Sequence, residues 1–158
     1  MAVTILEERP EARVGHVGPV FLTFWYIELT VEALDMLERH QTALAQKYGQ
    51  VTLVSVVMGA SKNPPPEIRE RLKRTSDFLS GQRIGNFVVV QTRGLGAIIA
   101  RTFLAALSLL NPENMRVIRT LEEAADEVRK LPKQHPEVVA NVTLAADLVA
   151  FAALPQPR

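Results

Sequence analysis

The feature that most constrains the fold is an alternation of short apolar segments with longer amphipathic ones. Residues 51–58 (VTLVSVVM) and 84–91 (IGNFVVVQ) are rich in β-branched residues, as strands covered on both faces are. Apolar residues recur at helical spacing in segments 30–48 and 67–80. Strands that alternate with helices predict an α/β fold with a mostly parallel sheet covered by helices.

The N-terminal region predicts a different strand arrangement. Segments 3–7 and 20–29 have strand composition, and 13–17 offers a further strand start. No helical segment separates the first strands, so we expect an antiparallel hairpin on this side of the sheet. With a last short strand at 115–119, the sequence predicts a mixed sheet of four to five strands.

The C-terminal third predicts helices only. Thr120 and Glu123 have the spacing of a capping box, and Pro132 ends the helix that follows. A polar hinge at 133–136 then leads into an apolar helix over 137–153. We therefore expect an α/β domain over residues 1–132 and a helical extension over 133–158 that packs on the domain or on a partner subunit.

The order of these elements resembles the STAS superfamily (sulphate transporter and anti-sigma-factor antagonist), in its SpoIIAA-like branch. The likeness spans about residues 14–131 and is most evident in IGNFVVVQTRGLGAIIARTFLAALSLLNPENMRVIRTLEEAADEVRKL, residues 84–131. It implies a STAS-like sandwich, a topology shared with the lipid-binding CRAL-TRIO fold, and a regulatory role in bacterial signalling. It also implies a phosphorylated serine in an Asp-Ser-Ser-Gly-like element after the third strand.

The corresponding loop departs from that element. Its sequence over 58–66 is MGASKNPPP, with one serine, Ser61, and no acid. A phosphate on Ser61 would lie near the N-terminus of the next helix, where the helix dipole favours negative charge. The alternative is an ordinary turn serine in a proline-rich loop. Ser61 is thus a candidate regulatory phosphoacceptor.

Basic residues follow this loop. Segment 61–83 holds six basic residues against three acids. Such a face can bind an acidic partner or a lipid headgroup, or it can be a solvated helix surface. The candidate interaction face consists of Lys62, Arg69, Lys73 and Arg74.

The most unusual segments are two apolar helices. In segment 95–110 (LGAIIARTFLAALSLL), twelve of sixteen residues are apolar, a pattern typical of a helix buried on several sides. The segment 138–154 is similar. Either the second helix covers the core, or one forms a homodimer interface, or they line a pocket for an apolar ligand. The candidate interface or pocket residues are Ile98, Ile99, Phe103, Leu107, Val142, Leu148 and Phe151.

Composition and motifs exclude several classes of function. The chain has no cysteine, which excludes disulfides and thiol catalysis and fits a cytoplasmic protein. The net charge of +1 argues against nucleic-acid binding. No apolar run is long enough for a membrane span, and the N-terminus lacks signal-peptide character. No catalytic triad or metal-ligand spacing is present, so we expect no enzyme, cofactor or metal.

The sequence therefore predicts a binding protein. The leading hypothesis is a non-catalytic regulatory or protein-interaction module that self-associates as a homodimer and has a protein partner of unknown identity. The alternative is binding or sensing of a small lipophilic ligand, such as a lipid, in an apolar pocket.

Overall fold

A computed structural model describes residues 2–58, 64–91, 97–98, 101–102 and 115–157. The predicted α/β class is confirmed: helices pack on a six-stranded mixed sheet. The strands are β1 (Thr4–Glu8), β2 (Ala12–Val17), β3 (Val20–Trp25), β4 (Val51–Val57), β5 (Arg83–Val90) and β6 (Arg116–Ile118). The helices are α1 (Val31–Tyr48), α2 (Pro66–Ser80), α3 (Leu121–Arg129), α4 (Pro136–Val139) and α5 (Leu144–Ala153).

The strands lie side by side in the same order as in the sequence. The first three form an antiparallel meander, and β3 to β6 are parallel. The predicted count of four to five strands is wrong, because Gly18 and Pro19 do not merely interrupt a strand. They form a two-residue turn between β2 and β3, and Gly18 has a φ of 53°, which glycine adopts without strain.

The strand order determines which helices cover which face. Right-handed connections between parallel strands added in one direction place every connecting helix on the same face. Accordingly, α1 and α2 pack on the face that carries Phe21, Trp25 and Leu53. The opposite face, which carries Phe24 and Val54, is covered by α3 and α5.

Short polar residues and one glycine fix the ends of two helices. The Thr30 hydroxyl accepts a hydrogen bond from the Ala33 amide at 3.1 Å, and Thr120 does the same for Glu123 at 3.1 Å. Gly49, with a φ of 90°, ends α1. The predicted helix starts at Thr30 and Thr120 are thus confirmed.

The C-terminal segment differs from the single helix predicted over 137–153. It contains the short α4 and then α5, separated by a turn in which the Asn141 side-chain oxygen accepts hydrogen bonds from the Thr143 amide and hydroxyl, at 3.2 and 2.8 Å. Asn and Thr side chains that bond to the local backbone compete with helix formation. After this turn, Leu144, Leu148 and Phe151 are buried in the same core as the sheet.

Candidate functional site

A cleft of about 610 Å³ opens where the carboxyl ends of β4, β5 and β6 meet α3 and α5. In open α/β sheets ligands bind at the carboxyl ends of the parallel strands. The described residues that line the cleft are Met58, Val89, Val90, Gln91, Arg101, Arg119, Thr120, Leu121, Glu122, Val149, Ala152 and Ala153.

The walls of the cleft combine aliphatic and polar groups. Val89 and Val90 come from the end of β5, and Val149 and Ala152 come from the facing side of α5. Met58, which follows β4 directly, is 41% exposed. The described lining includes no aromatic side chain. The cleft therefore offers an apolar surface to saturated chains more than a stacking surface to rings.

The charges in the cleft lie at its exposed edge. Two arginines, Arg101 and Arg119, and one acid, Glu122, line it. Within the part of the chain that the structure describes, neither arginine has an ion pair or a side-chain hydrogen bond. Arg119 and Thr120 directly precede α3, whose N-terminal dipole also favours negative charge. The site can therefore attract an anion.

The predicted basic face lies elsewhere. Arg69, Lys73 and Arg74 are exposed on α2, on the opposite face of the sheet from α5. Arg71 does not join them, because its guanidinium pairs with Asp35 at 2.6 Å and Glu38 at 3.2 Å on α1. Lys62 and Ser61 lie outside the described residues. The described members of the basic face, all on α2, thus lie on the other side of the sheet from the α5 wall of the cleft.

The predicted apolar residues divide into three groups. Leu148 and Phe151 are each 1% exposed and belong to the core. Val142 and Ile98 are 78% and 59% exposed. Ile99, Phe103 and Leu107 lie outside the described residues. Of the predicted set, only the exposed pair is therefore shown to be accessible to a partner.

One surface of α5 is apolar although it is exposed. Its residues recur at helical spacing and define what we call the α5 face: Ala146, Val149, Ala150 and Ala153. The preceding turn adds Val142, and Asp147 at the border of the face bonds to Asn141 at 3.3 Å. Exposed helix faces normally carry charged or polar residues, so an exposed helix surface formed by these four uncharged residues is unusual.

The other perturbed charges serve the packing of the fold. Arg83 is buried, and its Nε donates to the Gln41 side-chain oxygen at 2.8 Å. Burial lowers the pKa of Arg83 to about 10. Near the sheet edge, Glu7 accepts from His40 at 2.6 Å and from Arg39 at 2.9 Å. Both groups link α1 to strands and lie away from the cleft lining.

Arg101 and Arg119 were not among the predicted site residues. A signal for Arg101 was present, since it is the one charged residue in the apolar segment 95–110. A lone cation in such a segment indicates a buried partner or a site edge. No comparable signal marked Arg119, which precedes an ordinary helix cap.

No family model, curated protein or solved structure matches the chain. The STAS resemblance therefore stays a prediction. Among the described residues, no helix is both long and apolar enough to cross a membrane. Across the same ranges, no group of three or more His, Asp or Glu side chains is placed to hold a metal ion.

Proposed function

We propose that this chain is a non-catalytic regulatory or protein-interaction module that self-associates through the α5 face. The observation that supports this is the exposure of an uncharged helix surface, Ala146, Val149, Ala150 and Ala153, at the outside of a well-packed layer. Removing such a surface from water favours association, against the cost of lost translational and rotational freedom.

A second copy of the chain is the occupant that fits this face. A face without charge excludes a partner chosen by opposite charge, whereas the same face on another copy is equally apolar. The alanines at positions 146, 150 and 153 let two helices approach closely across a two-fold axis. The chain carries a net charge of only +1, so two copies repel each other little.

The test is the oligomeric state of the whole chain. Light scattering over a concentration series should show a dimer. Ala150→Glu should weaken dimerisation at least about tenfold, because it places two like charges in a symmetric interface. Ala43→Glu is the matched control, since Ala43 is an exposed alanine on α1. A wild-type chain that stays monomeric, or two variants that behave alike, would contradict the proposal.

A second candidate function, binding of a small lipophilic ligand, is favoured by a different observation. The cleft at the carboxyl ends of the strands combines aliphatic and polar lining residues and has a volume of about 610 Å³, within the usual range for ligand pockets of about 300–1,000 Å³. Native mass spectrometry of freshly purified protein tests this function directly. A co-purifying small molecule would support it.

A further inference from the structure

We infer that the cleft binds an aliphatic anion, a saturated chain with a negatively charged head group, held by Arg101 and Arg119. This inference rests on the second candidate function and names its ligand class. The cleft shares Val149 and Ala153 with the α5 face, whereas its arginines are not part of that face.

The walls select the body of the ligand. Val149 on α5 and Met58 after β4 are each 41% exposed and offer aliphatic surface, whereas Val89 and Val90 form a covered floor. The thioether of Met58 adapts to irregular chains. Aromatic ligands are usually held by stacking on rings, and the described lining has none. A flexible saturated chain is therefore the body that these walls fit.

The exposed edge selects the head group. Arg101 and Arg119 have no partner among the described side chains, whereas Arg39, Arg71 and Arg116 each pair with an acid. A guanidinium binds a carboxylate or phosphate through two parallel hydrogen bonds. Glu122 is the one acid among the described lining residues, so these residues carry a net positive charge.

The position in the fold supports the same assignment. Gln91, Arg119 and Thr120 directly follow the ends of β5 and β6, and Thr120 begins α3. The Thr120 hydroxyl satisfies the Glu123 amide, and the earlier amides of a helix N-terminus have no acceptor within the helix. An anion at this edge would therefore be stabilised by the helix N-terminus in addition to the arginines.

The first experiment compares head groups on one chain length. Decanoate, decyl phosphate and decanol are titrated into the wild-type chain and followed by calorimetry or by amide chemical shifts, below the concentration at which each ligand aggregates. Decanoate should bind at least about tenfold more tightly than decanol, the effect of one charge-assisted interaction of about 1.4 kcal/mol. Equal affinity for decanol and decanoate would overturn the inference.

Titration with decyl phosphate tests whether the site accepts a phosphate head group as well as a carboxylate. Decyl phosphate carries close to two charges at pH 8 and one at pH 5, since its second pKa is about 6. Because two guanidinium groups face one carboxylate in the described lining, decyl phosphate should bind at least as tightly at pH 8 as at pH 5. Tighter binding at pH 5 would contradict a head group held by both arginines. Binding of decanoate alone would support the inference with a carboxylate head group, and binding of neither anion would refute it.

Charge removal tests the named residues. Arg119→Gln should weaken decanoate binding about tenfold and leave decanol binding unchanged. Arg74→Gln is the matched control, since Arg74 is exposed on α2 and unpaired among the described residues. If Arg119→Gln binds decanoate as tightly as Arg74→Gln does, Arg119 does not hold the head group and the inference fails.

A larger side chain that fills the cleft tests the inference without changing any charge. Met58→Trp should abolish decanoate binding, because the larger side chain enters the cleft from the end of β4. Ile27→Trp is the control: Ile27 follows β3 on the same sheet edge, is 54% exposed, and does not line the cleft. Circular dichroism checks that both variants fold. Undiminished binding in a folded Met58→Trp would place the ligand elsewhere.

The two proposals can fail separately. Ala150 does not line the cleft, so Ala150→Glu should lose the dimer and keep decanoate binding. A chain that dimerises but does not bind decanoate would overturn this inference and leave the self-association proposal standing.

Discussion

The two helical layers are attached to the sheet in different ways. On one face, α1 and α2 combine apolar packing with buried and half-buried polar bonds. On the other face, α3 and α5 contact the sheet through Leu121, Val128, Leu148 and Phe151. The two layers differ in which polar and apolar groups are taken up by packing within the fold, and therefore in the kind of surface that each layer exposes to a partner.

The α1–α2 layer uses its polar side chains internally. Buried Thr75 donates to Glu38 at 2.7 Å, and Arg71 pairs with the same carboxylate. Gln41 is buried between Arg83, which donates to it, and Gln82, to which it donates at 3.1 Å. Such bonds add little net stability but fix one arrangement, since leaving a member unpaired is costly.

The α3–α5 layer uses apolar side chains on both sides of α5. Its inner residues fill the core, and its outer residues form the α5 face and one wall of the cleft. Its buried polar residues include Asn141 and also Arg13, which is 2% exposed, pairs with Glu8, and donates to the Leu154 and Pro155 carbonyls. This layer retains unpartnered apolar surface, which is why both proposals lie there.

The largest expected effect comes from the apolar layer. Phe151 is 1% exposed and packs edge-on against Phe24, with ring centroids 6.4 Å apart. Phe151→Ala should lower the free energy of unfolding by about 3–5 kcal/mol, through lost burial and the cavity left behind. Urea unfolding measures this. Val149→Ala, at a 41% exposed position of the same helix, should change stability by no more than about 1 kcal/mol.

A smaller effect should come from the polar layer, and it should be reversible by a second change. Gln41→Met leaves the buried Arg83 without its acceptor and should cost about 2–3 kcal/mol in urea unfolding. Adding Arg83→Met removes the unpaired charge and should recover most of the loss. If the double variant is no more stable than Gln41→Met alone, the loss does not come from the unpaired Arg83, and the polar bonds do not distinguish the α1–α2 layer from the α3–α5 layer.

The smallest effect concerns an exposed contact of the polar layer and depends on pH. Hydrogen bonds from His40 and then Arg39 lower the pKa of Glu7. A carboxyl with a lowered pKa stabilises the fold above its unfolded-state pKa, and this contribution is lost as the pH falls through the folded-state pKa.

Glu7→Gln should therefore lower the stability by about 0.5 kcal/mol at pH 7, typical of an exposed ion pair. Below the folded-state pKa of Glu7 the two proteins should have the same stability. Thermal unfolding from pH 7 to pH 3 measures the difference. A difference that persists at pH 3 would show that the charge of Glu7 is not its cause.

The fold class was predictable because its signals are local. Apolar runs, the caps at Thr30 and Thr120, and the terminating Gly49 lie within the elements they define. The number of strands was not predictable, because a Gly-Pro pair indicates a tight turn between two strands as readily as an interruption of one strand. The turn before α5 was missed because Asn141 and Thr143 were interpreted as polar positions of a helix, whereas their bonds to each other end it.

The cleft was not predictable from the same signals. Met58, Val90 and Val149 are far apart in the sequence, and their facing positions follow from the parallel order of β4 and β5 and from the packing of α5. The location of Arg119 was unpredictable for the same reason, because it depends on the position in the sheet of the strand that ends at Ile118 and on the elements packed beside that strand. The hydrophobic pattern of the sequence predicts which residues are buried, but it does not predict which surfaces remain exposed in the cleft between the elements.

The matching order of strands in sequence and space has a consequence for synthesis on the ribosome. Each strand joins the edge of a sheet whose earlier members have already emerged, so no strand waits for a later one to be inserted beside it. The second face of that sheet, however, remains bare until residues 121–153 have been translated, because α3 and α5 come last. The nascent chain thus exposes an apolar sheet surface for most of its elongation, and this is the interval in which a chaperone would be needed.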